Sequence, residues 1–412
     1  MKLRTLLVCA LACGSLLAQA EKKVINVETA GTLSSLVSAD DNLTDLTLTG
    51  SINKADFSYI KSTLTSVKNL DLKDVTIEAC EEGEGDTKVS YPANELPAGV
   101  FKEVNTLESL VLPSSITSIG ASFMEQTQTT PLQAVDFSNC HELTTIGDHA
   151  FSFCSSIKDV DLSGLDKLET IGAYAFDQTD ASVINLKGCS SLKTIEERAF
   201  MQSYSCKELI MDGCASLNFI GNRAFLNLAK NSSKEDGFSM QCDLSGCTSL
   251  ATIDESAFQS AKFQTLKLPA SLTAIHAKAF NLASGINDIT FLSAAVPEMG
   301  TSAFSSSVKN RAKVTVPEGS EEAYKAAGFV NVTAATGIGG IHADGADIRL
   351  NVELGRVSVE GLTAGQRVSL CRIDGVYAAQ VTASGSKLTL SVGNHGMYVV
   401  MVGGKAVGKV IL

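Results

Sequence analysis

Cys189-Ser-Ser-Leu192-Lys-Thr-Ile195-Glu-Glu-Arg-Ala-Phe200 is the stretch that decides the fold. Its second half, an isoleucine and then Ala-Phe four residues on, returns through the chain. It reads Ile146-Gly-Asp-His-Ala-Phe151, Ile171-Gly-Ala-Tyr-Ala-Phe176 and Ile220-Gly-Asn-Arg-Ala-Phe225. It continues as Ile253-Asp-Glu-Ser-Ala-Phe258 and Ile275-His-Ala-Lys-Ala-Phe280. Ile119 opens a looser copy with Phe123-Met124 at its end, and Leu96…Phe101 and Met299…Phe304 are worn copies. From Ile119 onward the isoleucines step by 27, 25, 24, 25, 33 and 22 residues. A unit of this length cannot bury its own apolar side, but a stack of such units can, each touching only its neighbours.

Within one unit the spacing assigns roles. In Val135-Asp-Phe137 the apolar residues alternate with a polar one, which predicts a short strand with one buried face. The same pair recurs as Val160/Leu162, Ile184/Leu186 and Leu209/Met211. Leu143/Ile146, Leu168/Ile171, Leu192/Ile195, Leu217/Ile220 and Leu250/Ile253 then turn inward. The Ala-Phe pair lies in a polar stretch, read as a single helical turn with the phenylalanine plugging the coil. The expected fold is α+β but mainly β: a right-handed leucine-rich-repeat solenoid with parallel strands.

The repeated phrase resembles the BspA-like leucine-rich repeats, whose pattern is roughly "cssLtsIgdyAFsgC". Leu112-Pro-Ser-Ser-Ile116-Thr-Ser-Ile119 and Leu268-Pro-Ala-Ser-Leu272-Thr-Ala-Ile275 fit the family's other form. The resemblance implies a cell-surface or secreted protein of a Gram-negative bacterium. It further implies adhesion to host matrix proteins or to other bacteria, without catalysis.

Residues 1–20 read as a secretory signal. Lys2 and Arg4 precede the apolar run Leu6 to Leu17, and Ala18-Gln19-Ala20 is a small-x-small cleavage site leaving Glu21 first. A second reading takes Ala10-Leu11-Ala12-Cys13 as a lipobox and makes the protein an outer-membrane lipoprotein of an envelope assembly. The apolar run is too short to span a bilayer, and no other segment qualifies. Residues 21–90 form the N-terminal cap, with a strand at Val24 to Val27 and helical spacing at Thr32 to Ser38 and Lys54 to Thr63. Leu46 to Gly50 and Leu70 to Leu72 supply the first repeat-like strands. The acidic loop Cys80 to Asp86 carries no calcium-binding pattern and reads as solvated. Repeats and a C-terminal cap occupy 91–332, with an exposed insertion at Lys230 to Gly237 and a closing strand and helix at Val314 to Gly328. A Gly-rich linker at 333–345 leads to a small β-sandwich at 346–412. Its strands are expected at Ile348–Leu350, Arg356–Val359, Arg367–Leu370, Lys387–Leu390 and Tyr398–Met401.

The formal charge is -12, or -14 once Lys2 and Arg4 leave with the signal. That excludes the basic footprint that nucleic acid or an anionic membrane surface requires. Of eleven Cys, two lie in the signal. Cys140, Cys189, Cys214 and Cys247 each stand six residues before a repeat isoleucine, where other coils have Leu165, Pro113 and Pro269. A slot that accepts Cys, Leu or Pro is an inward packing position. An oxidised pair among the other cysteines stays open. His141, His149 and His276 occupy variable surface positions. No metal-binding, nucleophile-elbow, phosphate-loop or dinucleotide pattern is present. Neither cofactor nor metal is expected, and the chain is read as no enzyme. A secreted enzyme or enzyme accessory using the repeats as a scaffold is the alternative.

The outward strand residues make the candidate binding face. They are Asp136/Ser138, Asp161/Ser163, Asn185/Lys187, Ile210/Asp212, Asp243/Ser245 and Thr265/Lys267, stacked in two columns. Polar, acidic and hydrogen-bonding, the face suits an extracellular protein, or a glycan. The absence of tryptophan and tyrosine from these columns argues against stacking on sugars. A monomer is expected.

The tail carries a second resemblance. Cys371-Arg-Ile-Asp374-Gly375-Val-Tyr377, Gly396-Met-Tyr398-Val-Val-Met-Val402 and Lys409-Val-Ile-Leu412 look like a type IX secretion C-terminal sorting domain. Asp374 and Gly375 are adjacent where the family spaces them, and Leu412 stands where it ends on a basic residue. The resemblance implies reading of the tail at the outer membrane after export to the periplasm.

Overall fold

The computed structural model describes residues 21–41, 43–127, 130–231, 240–283, 285–335, 348–353, 356–372, 376–392 and 397–411. The signal, the greater part of the insertion and of the linker, and the Asp374-Gly375 turn lie outside them. The chain divides into two compact units, 1–333 and 334–412.

The first unit is a mainly β, parallel-stranded solenoid. It opens with Glu21–Val27, Leu43–Ile52 and Asn69–Ile77, paired in parallel and followed in the same sheet by Ser109–Val111 and Ala134–Asp136. Helix Lys54–Thr63 covers this end. Its capping box joins Asn53 and Asp56: the Asn53 side chain accepts from the Ala55 N–H at 2.9 Å, and Asp56 accepts from the Asn53 N–H at 2.9 Å. The buried Asp56 also takes the N–H groups of Gly31 (2.6 Å) and Leu33 (2.9 Å), tying the loop before it to the helix. The segment expected to be helical at Thr32 to Ser38 forms only a 3₁₀ turn, Leu33–Ser35.

The repeats then build two strand faces. One consists of short strands Asp159–Asp161, Val183–Asn185 and Glu208–Ile210, then Gln241–Asp243, Thr265–Leu268, Asp288–Phe291, Lys313–Val316 and Asn331–Ala334. The other is a nine-stranded sheet of two-residue strands running from Glu95–Leu96 to Glu298–Met299. Its register aligns Ile146, Ile171, Ile195, Ile220, Ile253 and Ile275, all fully buried.

The Ala-Phe stretch is not the helical turn that the sequence suggests. His149, Tyr174, Arg198, Arg223, Ser256 and Lys278, each just before Ala-Phe, have φ between 54° and 59°. The left-handed residue turns alternate N–H groups out of the coil to its neighbour. His149 donates to Ala173, Phe151 to Ala175 and Phe153 to Asp177, each at 2.8 Å, and the next coil repeats this towards Glu197, Ala199 and Met201. A helical turn would have spent those donors within one coil. Beneath this edge the phenylalanines stack. Phe176, Phe200 and Phe225 lie with ring centroids 5.3 Å apart and planes within 7° of parallel. The stack closes on Phe291, Phe304 and Phe329 around the buried Tyr324 of helix Glu321–Ala326, whose hydroxyl donates to the Ser293 carbonyl at 2.9 Å.

The second unit has two antiparallel sheets. Arg349–Glu353, Arg356–Glu360 and Lys387–Ser391 make one; Tyr377–Thr382, Arg367–Arg372, Met397–Val402 and Lys405–Ile411 make the other. Val357, Val359, Val368, Leu370, Leu390, Tyr398, Val400 and Val410 form one core between them. Strand Tyr377–Thr382 escapes the sequence reading because its side chains are almost all exposed and show no apolar alternation.

Candidate binding face

The outward strand residues do stack, with one change of register. Asp161 lies opposite Asn185 and Asn185 opposite Ile210. In the later coils Asp243 lies opposite Lys267, while Thr265 lies opposite Gln241. The sequence reading set Lys267 beside Ser245, two residues out of step. Ser138, Ser163, Lys187, Asp212 and Ser245 stand just beyond the strand ends, in turns.

The acidic column has a structural task of its own. Asp136, Asp161 and Asp243 accept through Oδ1 from the N–H groups of Ser138 (2.8 Å), Ser163 (3.0 Å) and Ser245 (2.9 Å). Asn185 does the same for Lys187 at 3.1 Å. Each closes an Asx turn that ends the strand and starts the inward corner. Burial would raise the Asp243 carboxyl, but the Ser245 hydroxyl and N–H and the Lys267 ammonium, 3.0 Å away, outweigh it and hold the group below its ordinary value.

The face is not one unbroken sheet. The ladder lapses between Ala134–Asp136 and Asp159–Asp161, and again between Glu208–Ile210 and Gln241–Asp243, the step that contains the insertion. At the second lapse a groove of about 790 Å³ opens over Ile210, with Met240 at its side and Lys187, Asp212 and Asp243 among its lining. Among the described residues its lining brings together no serine, cysteine or histidine. Among the described residues no group of three or more histidine, cysteine or acidic side chains is placed to hold a metal.

The cysteine slot is inward, as its interchange with Leu and Pro predicts. Cys140, Cys189, Cys214 and Cys247 are fully buried and free, and Cys189 and Cys214 donate to the carbonyls of Leu162 and Leu186 at 3.2 Å. Burial pushes the Cys140, Cys189 and Cys247 thiols up to about 12, far from the thiolate that a nucleophile or metal ligand needs. Of the surface histidines, His276 sits 2.6 Å from Asp254, and His149 stacks on Tyr174 with centroids 4.5 Å apart.

One feature of the turn edge has no signature in the sequence. Asp177 follows an Ala-Phe pair, where other copies carry Ser152, Met201 or Leu226. It is 3% exposed and its Oδ1 has no hydrogen-bond partner. Burial drives its carboxyl up to about 6, against the opposing pull of Arg198 and Gln178. A carboxyl raised above its unfolded value binds its proton more readily in the folded state. The sign is therefore fixed: the unit loses stability as pH rises from about 4 through about 6 and regains it on acidification. Between pH 7 and pH 5 the melting temperature of Asp177→Asn should lack the upward contribution present in the parent. Identical shifts for the two proteins would show that Asp177 does not titrate in this range.

The BspA type leucine rich repeat region matches the chain in six copies, over residues 87–207 and 240–333. No curated protein matches it. Among solved structures, a leucine-rich repeat protein from Bacteroides ovatus is similar at 17% identity, covering 62% of this chain and 89% of that one, with a TM-score of 0.23. The pneumococcal vaccine antigen PcpA is similar at 15% identity, covering 62% and 86%, with a TM-score of 0.23. A leucine rich cell surface protein from Faecalibacterium prausnitzii is similar at 15% identity with the same coverages and a TM-score of 0.19. With its repeats matched over more than half its length, the chain belongs to the BspA type leucine-rich repeat family.

Proposed function

We propose that this is an exported, non-catalytic protein, secreted or held at the outer surface of a Gram-negative cell, that binds an extracellular protein. The strand face with the groove over Ile210 is the observation that carries this reading. Stacked coils set Asp161 opposite Asn185, with Asp136 and Asp243 on the strands to either side, and the groove mixes Ile210 and Met240 with charged side chains, a combination suited to a binding hot spot. The test is binding of the chain from Glu21 onward to purified host matrix proteins, with Ile210→Asp as the variant. Ile210 is half-exposed, so the fold should tolerate the change while affinity falls by about tenfold or more. A matrix protein held equally well by both would remove the site from this face.

Export is part of the same proposal. No helix among the described residues is long and apolar enough to cross a membrane. The tail is proposed as the sorting signal of the type IX route. Deleting Gly396 to Leu412 alone would take Tyr398, Val400 and Val410 out of the second unit's core, so the cleaner variant lacks all of 334–412. That variant is expected to stay in the periplasm with its repeats folded. Its arrival in the medium or at the cell surface in normal amounts would refute the sorting role.

A further inference from the structure

We propose that the turn edge around Phe153, Asp177 and Arg198 is a separate binding site for a neutral sugar residue of an extracellular glycan. Three buried polar atoms there have no hydrogen-bond partner: Ser152 Oγ, Asp177 Oδ1 and Arg198 Nε, the last with the Glu197 carboxylate 3.4 Å away as an ion pair. They come from three successive coils. Ser152 and Asp177 hold the same place after the repeated phenylalanine, and the Phe153 N–H donates to the Asp177 carbonyl at 2.8 Å. Nearby hydroxyls in equivalent turns are satisfied inside the coil, Thr179 by the Phe176 carbonyl at 3.1 Å and Ser203 by that of Phe200 at 3.2 Å. Buried polar atoms left over where their neighbours are paired point to a missing partner.

The charges select that partner's chemistry. Arg198 lies close enough to Asp177 to lower its pKa, and its Nη1 donates to the Tyr174 hydroxyl at 2.7 Å. A cationic donor brought to Asp177 would meet Arg198. An anion would meet Asp177, Glu197 beside Arg198, and a chain of formal charge -12. A neutral hydroxyl meets neither objection, and it supplies what is lacking: its O–H donates to Asp177 Oδ1 while its oxygen accepts from Arg198 Nε or Ser152. Phe153, left-handed and 40% exposed, pairs with no other ring among the described residues. It offers the aromatic platform that the strand face lacks.

The test applies the chain from Glu21 to an array of neutral, sialylated and sulfated glycans. Retention on neutral glycans is expected, weakened at least about tenfold by Phe153→Ala and by Asp177→Asn. Ile210→Asp should leave it unchanged, so this site and the protein-binding face fail or stand separately. Both turn-edge variants should keep the parent's circular dichroism; if Asp177→Asn does not, Ser152→Ala takes its place. No retention on neutral glycans, retention on charged glycans only, or equal binding by Phe153→Ala and the second variant would overturn the proposal.

Discussion

Phe200→Ala is expected to lower the stability of the solenoid by about 3–5 kcal/mol, the range for emptying a buried aromatic site. The ring is fully buried and stacked on both sides, 5.3 Å from Phe176 and 5.3 Å from Phe225. The site cannot collapse readily, because the backbone on either side is fixed by the ladder. Phe200 N–H donates to Ala224 and Phe176 N–H to Ala199. The cavity therefore persists, and the stack is cut into two parts. In a solenoid, stability is close to a sum of neighbour terms, so the damage should be local. Amides of the coil from Ile195 to Phe225 should exchange first in native-state hydrogen exchange, ahead of the cap around helix Lys54–Thr63. Phe200→Leu should recover most of the loss by refilling the space. A loss below about 1 kcal/mol in urea unfolding would mean that the stack is not continuous at this coil.

What was legible in the sequence is what repeats. The inward columns Ile146 to Ile275 and Phe151 to Phe280 are buried because stacking needs an apolar residue at the same place in every coil. Helix Lys54–Thr63 was equally plain from its helical spacing, while the Asn53–Asp56 capping box that starts it came only with the structure. The turn edge was misread for a physical reason. Residues such as His149, Tyr174 and Arg198 are ordinary helix formers by composition, and only the neighbouring coil's carbonyls, invisible in one repeat, hold them left-handed. The register slip at Thr265 has a similar origin. That coil follows a different phrase, Thr265-Leu-Lys-Leu-Pro269, with a corner two residues shorter: Lys267 stands eight residues before Ile275, where Asp243 stands ten before Ile253, so counting back from the isoleucine lands on Thr265. Asp177, Ser152 and Arg198 could not be found from spacing at all. Their places in the repeat accept many residue types, and only the burial imposed by adjacent coils makes them unusual.

Replacing Asp136, Asp161 and Asp243 together by alanine is expected to cost about 2–4 kcal/mol, taking about 1 kcal/mol for each Asx turn lost. Exposure alone would suggest a change close to zero. The difference lies in the N–H groups of Ser138, Ser163 and Ser245, which lose their acceptors at the corner where strand gives way to core. Asp243 should contribute most, because Ser245 Oγ and Lys267 also converge on it. The alanine triple therefore mixes a fold effect with any loss of binding. Asparagine separates the two, and Asn185 already shows that an amide oxygen does the turn's work in this column, accepting from Lys187 at 3.1 Å. The triple Asp→Asn variant should melt near the parent in thermal denaturation while removing three negative charges from the face. If those carboxylates contact a partner, its affinity for a bound matrix protein should fall and its salt dependence should weaken, since three charged contacts are gone. Unchanged affinity and salt dependence in a folded Asp→Asn triple would leave the acidic column a purely structural device. A large loss of stability in that variant would instead show that the charge, and not the turn's hydrogen bond, is what the corner requires.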